Sequence, residues 1–221
     1  MDALRLPLQA LRLLLGSKAL FFLAFLPGLI TMSLTALALA GIWSAWLHEL
    51  SRWVSYPLMA VAFPFFWIIF GNLALAPIED QIVDRVQVAL WDKVRIPSRK
   101  FALARITQEL GQSIFISVFF AFLLLFALVP GMAILSYVFG AWATAWNFLV
   151  TIYNRKHISR GDKLREFFGN IAGNTLLGIF LNLLLFVPIL NVWLLGYALI
   201  LATLVEMERH GNRITANTGN Y

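Results

Sequence analysis

The sequence contains no cysteine and few charged residues. Asp, Glu, Lys and Arg make up 13% of its 221 residues, whereas about 25% is typical of soluble domains. Without cysteine, disulfides, thiolate metal sites and a cysteine nucleophile are excluded. The three histidines are scattered, and Gly-rich phosphate loops, Gly-x-Ser-x-Gly and His-Glu-x-x-His motifs are absent. We therefore expect no metal, no cofactor and no enzymatic activity.

Apolar residues dominate instead, at 61% of the chain with a mean hydropathy of +0.81. A bilayer core about 30 Å thick requires roughly 20 apolar helical residues to cross it. Four long stretches contain no Asp, Glu, Lys or Arg: Ala19 to His48, Trp53 to Ile78, Leu110 to Asn154 and Phe167 to Val205. The sequence thus predicts an all-α integral membrane protein, with one helical membrane domain over residues 1–205 and a polar cytoplasmic tail over residues 206–221.

The first two apolar stretches predict two long transmembrane helices, from Ala19 to about Trp43 and from Trp53 to about Ala76. Tryptophans at positions 43, 46 and 53 flank their connector, as in the aromatic belt of a membrane interface. The first stretch is longer than the 7–15 residues of a signal-peptide core, which favours an uncleaved span. Leucines at helical spacing in residues 1–18 predict a short helix on the membrane surface.

An amphipathic cytoplasmic segment follows the second span, because apolar and charged residues alternate there at helical spacing. Its acidic residues Glu79, Asp80 and Asp84 are interpreted as a solvated face paired with Arg85. The functional alternative is that Glu79 and Asp84 form a proton or cation site beside the mouth of a pathway.

The other two apolar stretches are each too long for one span, and each contains a central proline without a charged connector. These features predict two helical hairpins, with tips at Val129-Pro130-Gly131 and Val187-Pro188. Irregular backbone at membrane depth must be buried in protein or line a cavity. The hairpins can therefore end inside the membrane or cross it, and both possibilities stay open.

Charge distribution predicts the orientation. The formal net charge is +6, and of the 17 Lys and Arg residues only Arg52 falls on the far side of this arrangement. The positive-inside rule then places both termini in the cytoplasm. Membrane topology accounts for the excess of basic residues, so we expect no nucleic-acid partner.

Polar residues at helical spacing form two stripes. One comprises Asn170, Asn174 and Asn182 with Gly178, and the other comprises Glu109, Ser113 and Ser117. Amides in apolar surroundings either join helices or line a polar path, and the stripes are the candidate path if they face each other. The candidate contacts for an anion or a lipid headgroup are Lys18, Arg155 and Lys156.

Several short motifs occur in an order that is fairly specific. They are Leu26-Pro27, Ala76-Pro77-Ile78 with Asp84, Val129-Pro130-Gly131 with Trp142 and Trp146, Phe167-Phe168-Gly169, Val187-Pro188-Ile189-Leu190-Asn191, and Ala202-Thr203. Together they resemble motifs of the CysZ-type sulfate permease family, grouped with the etoposide-induced protein 2.4 family. The resemblance covers nearly the whole chain. It implies two long membrane helices, two hemi-penetrating hairpins, a homo-oligomer, a bacterial inner-membrane location and, in some members, sulfate uptake.

One departure from the family pattern bears on the substrate. The family's Gly-Leu-Arg or Gly-Ile-Arg-Arg segment falls on residues 19–22, where no arginine stands and only Lys18 is near. The transported species is therefore open. The first hypothesis is a permease or channel-like protein for a small solute, such as an inorganic anion. The alternative is a non-transporting scaffold whose hairpins and basic surface interact with lipid or partner proteins.

Overall fold

The computed structural model describes residues 5–90, 110–111, 114–120, 122–123, 126, 129, 131–156, 159–185 and 191–218. The regular elements within these ranges are all helical, which confirms the predicted all-α class. In chain order they are α1 (Arg5–Gly16), α2 (Lys18–Ala45), a 3₁₀ turn (Leu47–Glu49), α3 (Arg52–Leu75), α4 (Glu79–Leu90), α5 (Ala133–Arg155), α6 (Arg160–Gly169), α7 (Ile171–Leu185) and α8 (Asn191–Thr218). The predicted hairpin tips at Pro130 and Pro188 lie outside the described residues.

Three of the described helices, α2, α3 and α5, are long and apolar enough to cross a membrane. Helices α2 and α3 correspond to the two predicted crossings. Helix α5 was predicted as the returning half of the first hairpin, and its 23 residues also suffice for a span. Helices α6 and α7 meet at an 83° bend and together form either a broken span or a re-entrant loop. The described chain thus has three candidate spans, or four if the bent pair counts as one.

Helix α2 begins at a side-chain cap and crosses α8 at very close range. The hydroxyl of Ser17 accepts a hydrogen bond from the backbone N–H of Leu20 at 3.3 Å, which satisfies one of the free donors of the first turn. Further along, a Cβ atom on Gly28 would lie 1.7 Å from the carbonyl oxygen of Val192, and one on Gly196 would lie 2.3 Å from the Cα of Ala24. Glycine at both positions therefore lets the two backbones touch.

Helix α8 is the central element of the fold. Its residues 194–204 are all buried, and it packs against α1, α2, α4 and α5. The hydroxyl of Tyr197 donates to the carbonyl of Pro7 at 3.0 Å and so fastens α1 to it. A second close crossing joins α7 to α5, because a Cβ on Gly178 would lie 1.8 Å from the carbonyl oxygen of Ala141.

Helix α8 also continues beyond the apolar part of the sequence. The predicted boundary between a membrane domain ending at residue 205 and a tail starting at residue 206 falls inside this continuous helix. Glu206 and Met207 are 1% and 4% exposed. The first turn assigned to the tail is therefore packed into the helical body.

The short helices α1, α4 and α6 gather at one end of the molecule, together with the start of α2 and the end of α5. We call this region the basic end. The connector between α2 and α3 lies at the opposite end of α2, where Trp46 and Trp53 are exposed.

Candidate functional site

Arg155, the last residue of α5, is completely buried and is held by two carboxylates of α4. Its Nε lies 3.3 Å from Oδ1 of Asp80, and its Nη2 donates to Oδ1 of Asp84 at 2.7 Å. Helix α4 places these acids towards α5 while Ile82, Val83 and Val86 on its other face are fully buried. Breaking such a pair would leave a charge in the interior at a cost of about 3–5 kcal/mol. The ion pair therefore locks α4 onto the end of α5.

The next residue, Lys156, contacts a different helix. Its Nζ donates to Oε1 of Glu206 on α8, and Nη1 of Arg209 lies 3.6 Å from the other carboxylate oxygen of Glu206. The side chains of Lys156, Glu206 and Arg209 are 12%, 0% and 9% exposed. One buried carboxylate is thus flanked by two cations.

Asn174 connects this group to the bend between α6 and α7. Its side chain is completely buried; Nδ2 donates to the carbonyl of Phe167 at 2.7 Å, and Oδ1 accepts from Nη2 of Arg209 at 2.6 Å. The carbonyl of Phe167 belongs to the last turn of α6, where it also accepts a hydrogen bond of 3.3 Å from the backbone N–H of Asn170. Gly173 lies beside the guanidinium, and a Cβ there would make ordinary van der Waals contact with Nη2 at 3.5 Å. Asn174 therefore fixes the bend and orients Arg209.

A cleft of about 700 Å³ opens beside this network, between the junction of α1 with α2 and the outer side of α4. We call it the elbow cleft. Arg12, Ser17, Leu20, Asp84, Arg85 and Val88 are among its lining residues. Arg12 and Arg85 are exposed, so their guanidinium groups can be reached from solvent. Asp84 lines the cleft and also binds Arg155, which joins the cleft to the buried network.

The candidate polar path is brought together only in part. Asn182 does face a neighbouring helix, where its Oδ1 accepts from the hydroxyl of Thr144 on α5 at 2.8 Å. Asn170 donates to the carbonyl of Glu166 on its own side of the bend at 3.3 Å. Ser117 donates to the carbonyl of Phe65 on α3 at 3.3 Å. This hydrogen bond therefore joins Ser117 to α3 and not to the stripe of asparagines. Glu109 and Ser113 lie outside the described residues.

The other predicted site residues fall into different environments. Lys18 is exposed at the first position of α2, whereas Arg155 and Lys156 belong to the buried network. The prediction that the acidic residues of α4 form a solvated face paired with Arg85 is wrong. Glu79 is 3% exposed, and Asp84 pairs with Arg155.

Several residues of this region carry little signal in the sequence. Glu206 and Arg209 fall in the predicted polar tail, although their spacing of three residues on a helix already puts them on one face. Arg12 and Arg85 are separated by the first two spans in sequence, so nothing short of the tertiary structure brings them into one cleft. Asn72 and Asn147 exchange two amide hydrogen bonds, 3.2 and 3.1 Å long, between α3 and α5.

Comparison with models of protein families gives a match over most of the chain. The family model described as sulfate transporter CysZ/etoposide-induced protein 2.4 matches residues 6–195. The chain matches none of the curated proteins with which it was compared. The matched residues include the elbow cleft, α4, Arg155, Lys156 and Asn174, while Glu206 and Arg209 follow them. The family is a transporter type whose members reside in membranes, and with most of its length matched, this chain belongs to the sulfate transporter CysZ/etoposide-induced protein 2.4 family.

Proposed function

We propose that this membrane protein transports a small inorganic anion, with sulfate as the first candidate, and that the anion enters or leaves through the elbow cleft. Family membership supports transport of this class. Two guanidinium groups in the cleft supply the donors that the segment at residues 19–22 lacks. Arginine forks suit the oxygens of tetrahedral anions.

The observation that carries this proposal is a line of polar side chains leading from the cleft into the helix packing. Asp84 lines the cleft and binds Arg155, and Arg155 is followed by Lys156. Lys156 binds Glu206, and Arg209 connects Glu206 to Asn174 at the bend between α6 and α7. Each link is a hydrogen bond, an ion pair or a peptide bond.

Ionisable groups are costly among membrane helices and are therefore concentrated along ion and substrate pathways. Arg155, Lys156, Glu206 and Arg209 lie against helices that carry the membrane spans, and all four side chains are nearly or fully buried. A purely structural contact would be served as well by apolar side chains of similar volume. The charges are better accounted for by a route for a charged solute.

Uptake of radiolabelled sulfate into proteoliposomes tests the proposal. The wild-type protein should give saturable uptake above empty vesicles. Replacing both cleft arginines (Arg12→Gln with Arg85→Gln) should raise the half-saturating sulfate concentration by at least about 10-fold, because the loss of even one charge-assisted hydrogen bond is worth roughly 1.5–3 kcal/mol and 1.4 kcal/mol is a factor of ten. Both side chains are exposed, so the fold should tolerate the change.

The matched control is Arg52→Gln, which removes an exposed arginine at the opposite end of the molecule and should leave uptake as in the wild type. Absence of flux for sulfate, thiosulfate and sulfite with the wild-type protein would contradict anion transport. Normal uptake by the cleft variant would contradict the cleft as the mouth of the route.

A second candidate, a lipid-binding scaffold, is favoured by α1. Leu8, Leu11 and Leu15 are 54%, 42% and 65% exposed on this helix, and Arg5 and Arg12 are exposed as well. An amphipathic basic helix of this kind binds at the interface of anionic membranes. The scaffold hypothesis predicts curvature of vesicles that depends on these leucines, together with no solute flux.

Orientation and assembly are part of the proposal. We propose that the basic end faces the cytoplasm of a bacterial inner membrane, with both termini on that side, because the basic residues concentrate there. Reporter fusions at residue 49 and at either terminus should report opposite sides of the membrane.

A homo-oligomer, which the family resemblance implies, should have a protein mass in light scattering that is a multiple of 24.9 kDa.

A further inference from the structure

The group formed by Lys156, Glu206, Arg209 and Asn174, which we call the α8 cluster, has the composition of an anion site that already contains an anion. Lys156 and Arg209 approach the two oxygens of the Glu206 carboxylate from different sides. Asn174 receives a hydrogen bond from the same guanidinium and so holds it in place. The carboxylate is 0% exposed. Glu206 thus occupies the position that the oxygens of a free anion would take between the two cations.

One donor of the cluster is left for a further acceptor. Arg209 Nη1 is buried and has no hydrogen-bond partner among the residues that the structure describes, since its distance of 3.6 Å to Glu206 exceeds a hydrogen bond. The Arg209 side chain is 9% exposed, so water cannot easily satisfy this N–H. The buried side chain of Tyr153 lies beside Arg209 and Glu206 and is close to Glu166 of α6. Donors of more than one kind therefore surround the carboxylate.

The charge of the cluster favours a dianion as the alternative occupant. Lys156 and Arg209 carry two positive charges, and Glu206 neutralises one of them. An anion with two negative charges and several acceptor oxygens would neutralise both and would reach Nη1 as well. Resting on the proposed anion transport, we infer that Glu206 is a built-in competitor that occupies a binding site for the transported anion formed by Lys156, Arg209 and Asn174. The anion binds when the Glu206 side chain leaves this position, and the site is refilled by the carboxylate after release.

The variant Glu206→Gln tests this inference, because it keeps the shape of the side chain and removes its charge. The expected result is that purified full-length protein binds sulfate at least about 10-fold more tightly than the wild type, since the charge-assisted hydrogen bond from Lys156 to the competing carboxylate is by itself worth about that factor. Titration calorimetry in detergent at constant ionic strength measures this affinity. The double variant Glu206→Gln with Lys156→Gln should lose the gain.

Glu208→Gln is the matched control. It removes the same charge from the same helix two residues away, at a partly exposed position, and should bind sulfate as the wild type does. Should Glu206→Gln fail to give monodisperse protein, Glu206→Asp serves instead. The aspartate keeps the charge on a side chain one methylene shorter, which weakens its contact with Lys156 and should give a smaller gain in affinity.

A Glu206→Gln or Glu206→Asp protein that binds sulfate no better than the wild type overturns the inference, and Glu206 is then a structural partner of the two cations. This outcome is separate from the fate of the proposed function. Sulfate uptake by wild-type vesicles with no gain in the variants would overturn the competitor alone. A gain in the variants without uptake by the wild type would support the site and contradict transport.

Discussion

The two halves of helix α8 are held by different kinds of interaction. Its first half crosses α2 with backbone against backbone, where Gly28 meets Val192 and Gly196 meets Ala24. Its second half, just beyond the buried run at 194–204, is held by ion pairs and amides. Small residues are the usual means of packing helices in a membrane, where apolar side chains gain little by leaving lipid. The comparison teaches that close backbone packing joins the helices at the glycine crossing, whereas buried charges and amides join them at the basic end.

The largest effect is expected from Gly28→Ala, which would break the glycine crossing. The new methyl group would lie 1.7 Å from the Val192 carbonyl oxygen, so the helices must separate along their length. We expect loss of more than about 3 kcal/mol, at or above the usual cost of overpacking, seen as aggregation on size exclusion or a large fall in Tm in detergent. Gly41→Ala on the same helix has no atom within 4 Å of its Cβ and should be neutral or slightly stabilising. Equal behaviour of the two variants would show that α2 and α8 are not in contact.

The next largest effect is expected from replacing Arg155, the fully buried arginine that pairs with Asp80 and Asp84. Arg155→Met leaves Asp80 and Asp84 without their shared partner, and we expect a loss of about 3–5 kcal/mol. Unfolding by SDS titration measures this loss. Arg165→Met, an exposed arginine on α6, should change stability by less than about 0.5 kcal/mol. A similar small effect at Arg155 would mean that the ion pair contributes little to holding α4.

Two asparagines, Asn170 at the α6–α7 bend and Asn174 in the first turn of α7, allow a buried amide to be compared with a partly exposed one. Asn174→Leu removes the side-chain amide that donates to the Phe167 carbonyl and accepts from Arg209, and we expect a loss of about 2 kcal/mol. Asn170→Leu removes one 3.3 Å hydrogen bond at a partly exposed position and should cost clearly less. Thermal unfolding of both variants gives the ranking; the reverse order would argue against the role assigned to Asn174.

The smallest effect is expected for the amide pair between α3 and α5. Asn72 and Asn147 exchange two hydrogen bonds, and interhelical polar contacts in membranes average about 0.6 kcal/mol. A double-mutant cycle with Asn72→Leu and Asn147→Leu should give a coupling of that size. A coupling energy above about 2 kcal/mol would mean that this pair stabilises the fold as strongly as the ionic network does.

Much of the fold could be predicted because the bilayer imposes a length on each helix. The spans from Ala19 and from Trp53 were predicted to within a few residues of α2 and α3. Leu26-Pro27, one of the motifs behind the family resemblance, lies beside Gly28 where α2 crosses α8. The hairpin tips at Pro130 and Pro188 stay predictions, since they lie outside the described residues.

The candidate site was predicted less well, because a charged residue shows its own position in sequence and not its partner. Arg155 and Lys156 were chosen as anion contacts, and they prove to be bound to acids from α4 and α8 that lie about 70 residues before and 50 residues after them. Asn174 and Asn182 share one helix face, as predicted, but contact different helices through it. Spacing can assign residues to a face, while what that face meets depends on contacts distant in sequence.

Sequence alone therefore determined that this protein is helical, resides in a membrane and concentrates its positive charge at one end, because hydropathy and charge act through the bilayer irrespective of how the helices pack. The tertiary structure decided which of the charges are buried, that Glu206 sits between Lys156 and Arg209, and that Arg12 and Arg85 share a cleft. These features depend on side chains distant in sequence approaching to within a few ångströms, which requires that the helices pack against one another.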